Sequence, residues 1–396
     1  MTELMGNEFD DIRPYNDSEI NDAMHRIVLS PFFENIVKFL YPDVPVAHIK
    51  DKFLTFDNVH SFQVNVMNSA IQNIIKTSSA GLSYSGVENL SSSKRYLFLS
   101  NHRDILLDSA ILQILLHANA HRPSEITFGD NLMISQLIVD IGKSNKMFKL
   151  VRSGTPKEIF KNSMHTSKYI RYALTEKNES IWIAQRNGRT KDGNDQTQQA
   201  VLKMFGMSGG RDFVRNFSEL NIAPLAISYE YDPGDFLKTR ELYINRRQAY
   251  VKAPGEDLNS ILTGIKQYKG KIHLAFTLPI TEDEIRGIKS TNKNEQIQEM
   301  ASLTDSRVYN NFRLWNTNYI AFDQLNGNLF ENVYLPAEKD TFMEYMRKGL
   351  SGIDGDRAEL ESIFLSIYAN PVVNYIKLNG DCRQPEAVDI KYFKCI

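Results

Sequence analysis

The chain reads as an α/β fold, a mostly parallel or mixed sheet flanked by helices, with helical N- and C-terminal additions. Three observations predict it. From Tyr96 to Phe276, short apolar runs of strand length alternate with longer runs of helical period. On either side of that stretch the apolar residues follow a helical pattern. The chain has 396 residues, 42% of them hydrophobic, enough to bury one large core or two to three smaller ones and to exclude a disordered polypeptide.

Residues 1–11 are acidic and loose in pattern, with no apolar signal core, so no secretory leader is expected. From Asn16 to Ser79, Ile27-Val28-Leu29, Phe32-Phe33, Ile36-Val37 and Phe39-Leu40 recur at three- and four-residue steps until Pro42 and Pro45 break the run. A second helical run covers Phe62 to Ile75, and Ser78-Ser79-Ala80-Gly81 reads as a small-residue hinge. Strands are then expected at Tyr96–Ser100, Ile126–Gly129, Phe148–Val151, Ser180–Ala184, Ile222–Tyr229 and Lys271–Phe276. Helices are expected at Ile105–His117, Leu132–Ile141 and Pro156–Thr175, with Pro156 suited to a first turn. The resulting division is a helical region 1–80, an α/β domain 81–280 and a helical region 281–396. No apolar run approaches the roughly 20 residues of a spanning helix, so a soluble or peripherally attached protein is expected.

Net charge is −2, which implies no general affinity for polyanions. Charge is nevertheless uneven. Residues 141–215 hold fifteen cations against six acids, and Arg152, Arg186, Arg189 and Lys191 follow strand ends, where anionic groups bind in such folds. Aromatic interleaving around Lys143–Lys149 is too sparse for nucleic acid. Cys382 and Cys395 fit no zinc or redox spacing. His117 and His121 have the spacing of a helical metal pair but no third ligand, so no metal is expected. Lys191-Asp192-Gly193-Asn194-Asp195 is a fragment of a calcium-loop pattern that reads as an exposed turn. His273 alternates with apolar neighbours and reads as structural.

The sharpest signal is Leu97-Phe98-Leu99-Ser100-Asn101-His102-Arg103-Asp104-Ile105-Leu106-Leu107-Asp108. It is a buried strand, a sharp exit and the start of an apolar helix, with a histidine at the exit and aspartates two and six residues on. Strand-end loops are where α/β folds place chemistry, and a histidine beside a carboxylate can take a proton from a hydroxyl. Asp104 also suits a helix N-cap.

Four segments in order, Asn101-His102-Arg103-Asp104 with Asp108, Phe148–Arg152, Arg186–Thr190 and Ala223–Ile227, resemble the four blocks of the glycerolipid acyltransferases. These enzymes acylate glycerol 3-phosphate or 1-acylglycerol 3-phosphate. The resemblance spans roughly Gly86 to Pro279. It implies an acyl thioester donor (acyl-CoA or acyl carrier protein), a phosphorylated lipid precursor as acceptor, and no cofactor. It implies His102 as general base with Asp108 or Asp104 orienting it, and backbone N–H groups near the second and third blocks for the oxyanion. The acceptor would be bound by Arg152, Asn187, Gly188, Arg189 and Pro224. It further implies a membrane-associated enzyme of phospholipid biosynthesis, cytoplasmic and peripheral on the inner face. The run Leu132–Val139, apolar nearly all round, reads as a buried core helix, or else as the wall of an acyl tunnel or a surface dipping into lipid.

Three departures stand out. The family aspartate falls on Leu107, with Asp108 one residue late, so the pair forms only if the helix starts differently; otherwise Asp104 substitutes. Asn187 stands where the family has glutamate, and Arg189 follows Gly188 without the family's spacer. Two rival readings accommodate them: an acyltransferase for a non-glycerol lipid acceptor, or a catalytically silent protein that binds lipid or acyl carrier.

Overall fold

The computed structural model of the chain describes residues 7–380, 384 and 389–395. An eight-stranded mixed sheet forms its centre. The strands are β1 (Gly81–Ser85), β2 (Leu97–Ser100), β3 (Glu125–Gly129), β4 (Met147–Leu150), β5 (Ile181–Ala184), β6 (Ile222–Tyr229), β7 (Lys271–Phe276) and β8 (Lys391–Phe393). Their order across the sheet is β4-β3-β5-β2-β6-β7-β1-β8. The run from β4 through β6 is parallel, β7 turns antiparallel to β6, β1 runs parallel to β7, and β8 closes the edge antiparallel.

Six of the eight strands lie where the apolar runs place them. The exceptions are β1 and β8. Gly-Leu-Ser-Tyr-Ser carries too little apolar residue to signal a strand, and pairing with β7 makes it one, so the hinge expected at Ser78–Gly81 leads straight into the sheet. The three-residue β8 likewise exists only through β1.

The N-terminal helices are α1 (Asp17–Val28), α2 (Phe33–Leu40), α3 (Val46–Phe53), α4 (Val59–Phe62) and α5 (Ser69–Ser78), the last two joined by a π-helical segment, Gln63–Asn68. Next come α6 (Leu107–Ala118), α7 (Gln136–Ser144), α8 (Pro156–Thr175), α9 (Gln199–Gly206), α10 (Phe213–Ser218), α11 (Asp235–Asn245) and α12 (Glu256–Lys266). The C-terminal set is α13 (Glu282–Arg286), α14 (Lys293–Asn311), α15 (Asn316–Asn326), α16 (Pro336–Leu350) and α17 (Arg357–Asn379). The helix expected from Leu132 begins four residues later, because Asp130–Leu132 forms a short 3-10 turn and Ser135 caps Ile138 N. The helix expected over Pro156–Thr175 has those bounds, set by a Thr155–Glu158 capping box with Pro156 in the first turn.

Alternation along β2 builds two cores. Phe98 packs with Ile111 and Leu115 of α6 on one face; Leu97 and Leu99 pack with Ile170 and Ala173 of α8 and Phe205 of α9 on the other. Both flanks of the chain join these cores. Ile71, Ile74 and Ile75 of α5 enter the first; Phe9, from the stretch expected to be loose, Ile12, and Ile285, Ile297 and Met300 from the C-terminal region enter the second. The helices α15, α16 and α17 form a third core, and Val308 and Phe312 lie against Ala226 of β6 and Ala275 of β7. Among the described residues no helix is long and apolar enough to cross a membrane. Cys395 is a half-buried free thiol, whereas Cys382 lies outside the described residues.

His273 occupies the inner sheet as a structural residue. Its Nδ1 lies 2.9 Å from Ser83 Oγ and its Nε2 3.0 Å from Ser85 Oγ on β1. Burial, reinforced by Arg313, holds the ring neutral and pushes its pKa down to about 3. The unfolded chain therefore binds a proton below about pH 6.5 that the folded chain refuses, so stability is full above that pH and is lost as pH falls toward 3. Urea titrations between pH 6 and pH 4 should show one proton of extra dependence, about 1.4 kcal/mol per pH unit, and His273→Gln should remove it. An unchanged slope in the variant refutes this assignment.

Candidate active site

At the C-terminal end of β2 the side chain of Asn101 replaces a strand residue. Its Oδ1 accepts from Ile227 N at 2.8 Å and its Nδ2 donates to Ile227 O at 2.9 Å. This pairing extends the contact with β6 and aims the chain out of the sheet. His102 follows, its carbonyl fixed by Thr190 N at 2.7 Å.

His102 Nδ1 lies 2.8 Å from Asp108 Oδ2. The same oxygen accepts from Arg103 N at 2.6 Å and Asp104 N at 2.9 Å, and Asp108 Oδ1 accepts from Tyr229 OH at 2.7 Å. Four donors thus converge on one buried carboxylate. Burial, then the charges of Asp108 and Asp104, push the Tyr229 phenol well above its ordinary range, so it remains a donor. The backbone and phenol donors leave the carboxylate only an accepting role. The proton between the ring and Asp108 therefore sits on Nδ1, and Nε2 is the free lone pair. No described residue hydrogen-bonds Nε2, and His102 lines a cavity with its ring edge-on to Trp182, centroids 5.5 Å apart.

The late aspartate is explained by where α6 begins. The helix starts only at Leu107, so Ile105 and Leu106 form an extra turn before it. Asp104 holds that turn, its Oδ1 accepting from Leu106 N at 2.9 Å and Leu107 N at 2.7 Å. Asp108 is the partner of His102, and Asp104 caps the helix. Burial, with Asp108 adding, pushes the Asp104 carboxyl above the usual carboxylate range. The backbone of α12 presses on it: a Cβ at Gly264 would stand 2.0 Å from Asp104 Oδ2.

Beneath the loop lies a cluster that sequence reasoning missed. Arg103 is 2% exposed. Its Nη2 bonds Asp195 Oδ2 at 2.6 Å, its Nη1 bonds Asp232 Oδ2 at 2.9 Å, and its carbonyl accepts from Lys238 Nζ at 3.0 Å. Lys238 is also ion-paired with Asp232. The segment 191–195, expected as an exposed turn, is wedged inward instead. Asp195 is buried on Arg103, and a Cβ at Gly193 would meet Ile367 O at 2.0 Å. Arg103 sits beside the motif histidine, but nothing in the pattern distinguishes it from a solvated arginine.

The cavity has a volume of about 890 Å³. One part of its wall is apolar, from Met67, Phe128, Ile134, Ile138, Ile141 and Trp182; another carries Arg152, Arg186, Arg189, Lys191 and Lys252. Lys191 is ion-paired with Glu241, and Lys252 lies 2.5 Å from Asp257. Burial, then Lys252 and Arg189, pull the Lys191 pKa down to about 8. Among the described residues, Arg152, Arg186 and Arg189 have no carboxylate partner within ion-pair distance. Arg152 Nη1 donates to Asn187 Oδ1 at 3.1 Å, and burial lowers its pKa.

Asn187, Gly188 and Arg189 all line the cavity from the loop after β5, where Gly188 has φ +76°. Pro224 does not. It is buried inside β6 opposite Leu99, its carbonyl taken by Thr277 Oγ1 at 2.7 Å, so its place is in the sheet and not on the cavity wall. Among the described residues no group of three or more His, Cys, Asp or Glu side chains could hold a metal ion.

No protein-family model matches the chain, and no curated protein matches its sequence. Among solved structures it is similar to the crystal structure of the 1-acyl-sn-glycerophosphate (LPA) acyltransferase, PlsC, from Thermotoga maritima. The identity is 10%, the match covers 72% of this chain and 94% of that one, and the TM-score is 0.37. A likeness at that level carries no argument about chemistry.

The assignment of Nδ1 as the protonated nitrogen is testable without any substrate. Nitrogen NMR of the imidazole at alkaline pH should show Nδ1 protonated and Nε2 bare, and Asp108→Asn should shift the ring toward the opposite tautomer. Asp104→Asn should leave the tautomer alone and cost on the order of 1 kcal/mol of stability through the weakened cap. Bare Nδ1 in the wild-type protein contradicts the geometry.

Proposed function

We propose that the protein is an O-acyltransferase that moves a fatty acyl group from an acyl thioester, on coenzyme A or acyl carrier protein, to the hydroxyl of a phosphorylated glycerol-type acceptor. One observation carries this reading. An imidazole oriented by a buried carboxylate, its Nε2 free of any partner among the described residues, faces a cavity that has both an apolar wall and three arginines with no carboxylate partner among those residues. Apolar surface suits an acyl chain, and guanidinium forks suit a phosphate.

In this reading Nε2 of His102 takes the acceptor hydroxyl proton as the oxygen attacks the thioester carbonyl. The tetrahedral oxyanion collapses, the carbon–sulfur bond breaks, and the thiolate leaves with the proton returned by the imidazolium. Asp108 stabilises that imidazolium throughout. Arg152 and Arg189 hold the phosphate and so fix the hydroxyl near the ring; Asn187 supports Arg152 through its amide oxygen. No covalent acyl-enzyme is required.

The proposed catalytic unit is 81–280, with the regions 1–80 and 281–396 lending it Met67 on the cavity wall and β8 on the sheet edge. Attachment to the inner face of a membrane from the cytoplasm is part of the proposal. It is supported by Ile134, which lines the cavity yet is 64% exposed, and by exposed Phe160 between Lys157 and Lys161.

Thiol release from acyl-CoA or acyl carrier protein thioester, followed in the presence of glycerol 3-phosphate or its 1-acyl derivative, tests the reading. His102→Ala should lower turnover by about 10²–10⁴-fold with an unchanged circular dichroism spectrum and melting temperature. Arg189→Ala should act on the acceptor, raising its KM by roughly ten-fold or more through loss of a charged hydrogen bond. Tight binding of both ligands with no turnover under any acceptor would instead favour the silent binding protein.

A further inference from the structure

Met67 belongs to two walls at once. It lines the large cavity beside His102, and it also lines a separate small void of about 30 Å³ between the N-terminal helices and α6. That void is a groove. Val64, Met67 and Ile71 lie along one side, and Ala110, Ile114 and His117 along the other, each set at helical spacing. Three amide atoms at its edge are already committed: Gln63 Nε2 donates to Asn145 Oδ1 at 3.3 Å, Gln113 Nε2 to Ser124 Oγ at 3.0 Å, and Asn68 Oδ1 accepts from Gln72 Nε2 at 3.1 Å.

The helix α6 links the two spaces. Leu106 and Ser109, at its start, line the large cavity, and Ala110, Ile114 and His117 continue along it into the groove. From Leu106 to His117 is about 16 Å of helix axis, the scale of an extended long-chain acyl group. Met67 stands where the spaces meet, and it sits in the π-helical segment Gln63–Asn68, whose wider turn is a local departure often found at functional positions. An unbranched methionine side chain has three rotatable bonds and no polar group to anchor it, so it can swing aside at small cost.

We propose that this groove is a terminal subsite for the far end of a long acyl chain and that Met67 is its gate, so that the side chain at position 67 sets the chain length the protein accepts. The inference rests on the acyl-transfer reading above and adds the residue that limits its donor.

The test measures affinity, by calorimetry, for S-alkyl pantetheine thioethers of increasing length, which carry the arm common to coenzyme A and acyl carrier protein. In the wild-type protein affinity should rise with each methylene and then level off. Met67→Ala should move the plateau to longer chains, with about four-fold tighter binding for each methylene newly accommodated. Val64→Phe, which fills the groove from a partly exposed position, should move the plateau to shorter chains. A general packing defect would weaken binding at every length, whereas loss of the subsite moves only the plateau. Binding whose plateau stays fixed in both variants overturns the gate and leaves the acyl-transfer reading standing. No binding at any length overturns that reading, and the gate with it.

Discussion

The buried guanidinium of Arg103 is the constraint on which the site depends. Taking an arginine out of water is tolerable only if anions and acceptors replace its hydration, and here two carboxylates and a carbonyl do so: Asp195, Asp232 and Gly193. Those partners come from different parts of the chain, Gly193 and Asp195 from the loop after β5 and Asp232 from the turn after β6. Lys238 of α11 closes the circuit by bonding both Asp232 and the Arg103 carbonyl. Such a cluster adds little net stability over a well-packed apolar one, but removing a single partner strands a buried charge at about 3–5 kcal/mol. That asymmetry ties the residue after His102 to one position.

The reach of this cluster explains the C-terminal helices. Asp232 N donates to Tyr368 OH at 3.0 Å, and the same hydroxyl donates to Asp235 Oδ2 at 2.6 Å. Burial pushes Asp235 up to about 6 despite its tyrosine donors. The segment 191–195 is held from the same side, with Asn370 Nδ2 on Asp192 O at 2.6 Å. The helix α17 therefore supports both carboxylates that hold Arg103, although it contributes nothing to the cavity wall. A region outside the resembling blocks becomes part of how the loop carrying His102 is kept in place.

What the sequence made legible follows from what leaves a local trace. The six apolar strands and the helix over Pro156–Thr175 were readable because burial on both faces and a capping box each act over a few residues. The closeness of His102 to an aspartate was readable, as was the placing of cations after strand ends. The choice between Asp104 and Asp108 was not, because it turns on a two-residue shift in the start of α6 that any pattern of apolar residues permits. Asp195 was misread as exposed because burial of a charge is decided by a partner 92 residues away. Pro224 was placed at the substrate by resemblance alone, and the sheet absorbs it. Tyr229 left no signal, since a tyrosine ending a strand is ordinary until its hydroxyl is seen on Asp108.

The pairing of two aspartates four residues apart now has a physical sense. Both are buried, and their charges oppose each other, which is unfavourable unless each is met by its own donors. They are met separately. Asp104 takes the N–H of Leu106 in the turn before α6 and that of Leu107 at its start, while Asp108 takes the N–H groups of Arg103 and Asp104 together with the Tyr229 hydroxyl. Asp104 thus contributes to the site twice, by its carboxylate to the helix and by its backbone N–H to Asp108. The extra residue that displaces the aspartate from Leu107 is what gives room for this division. It lengthens the turn by enough for one acid to build the helix start and the other to face the imidazole. The departure from the family spacing is therefore compensated within the loop itself, and it does not by itself argue for an inactive site.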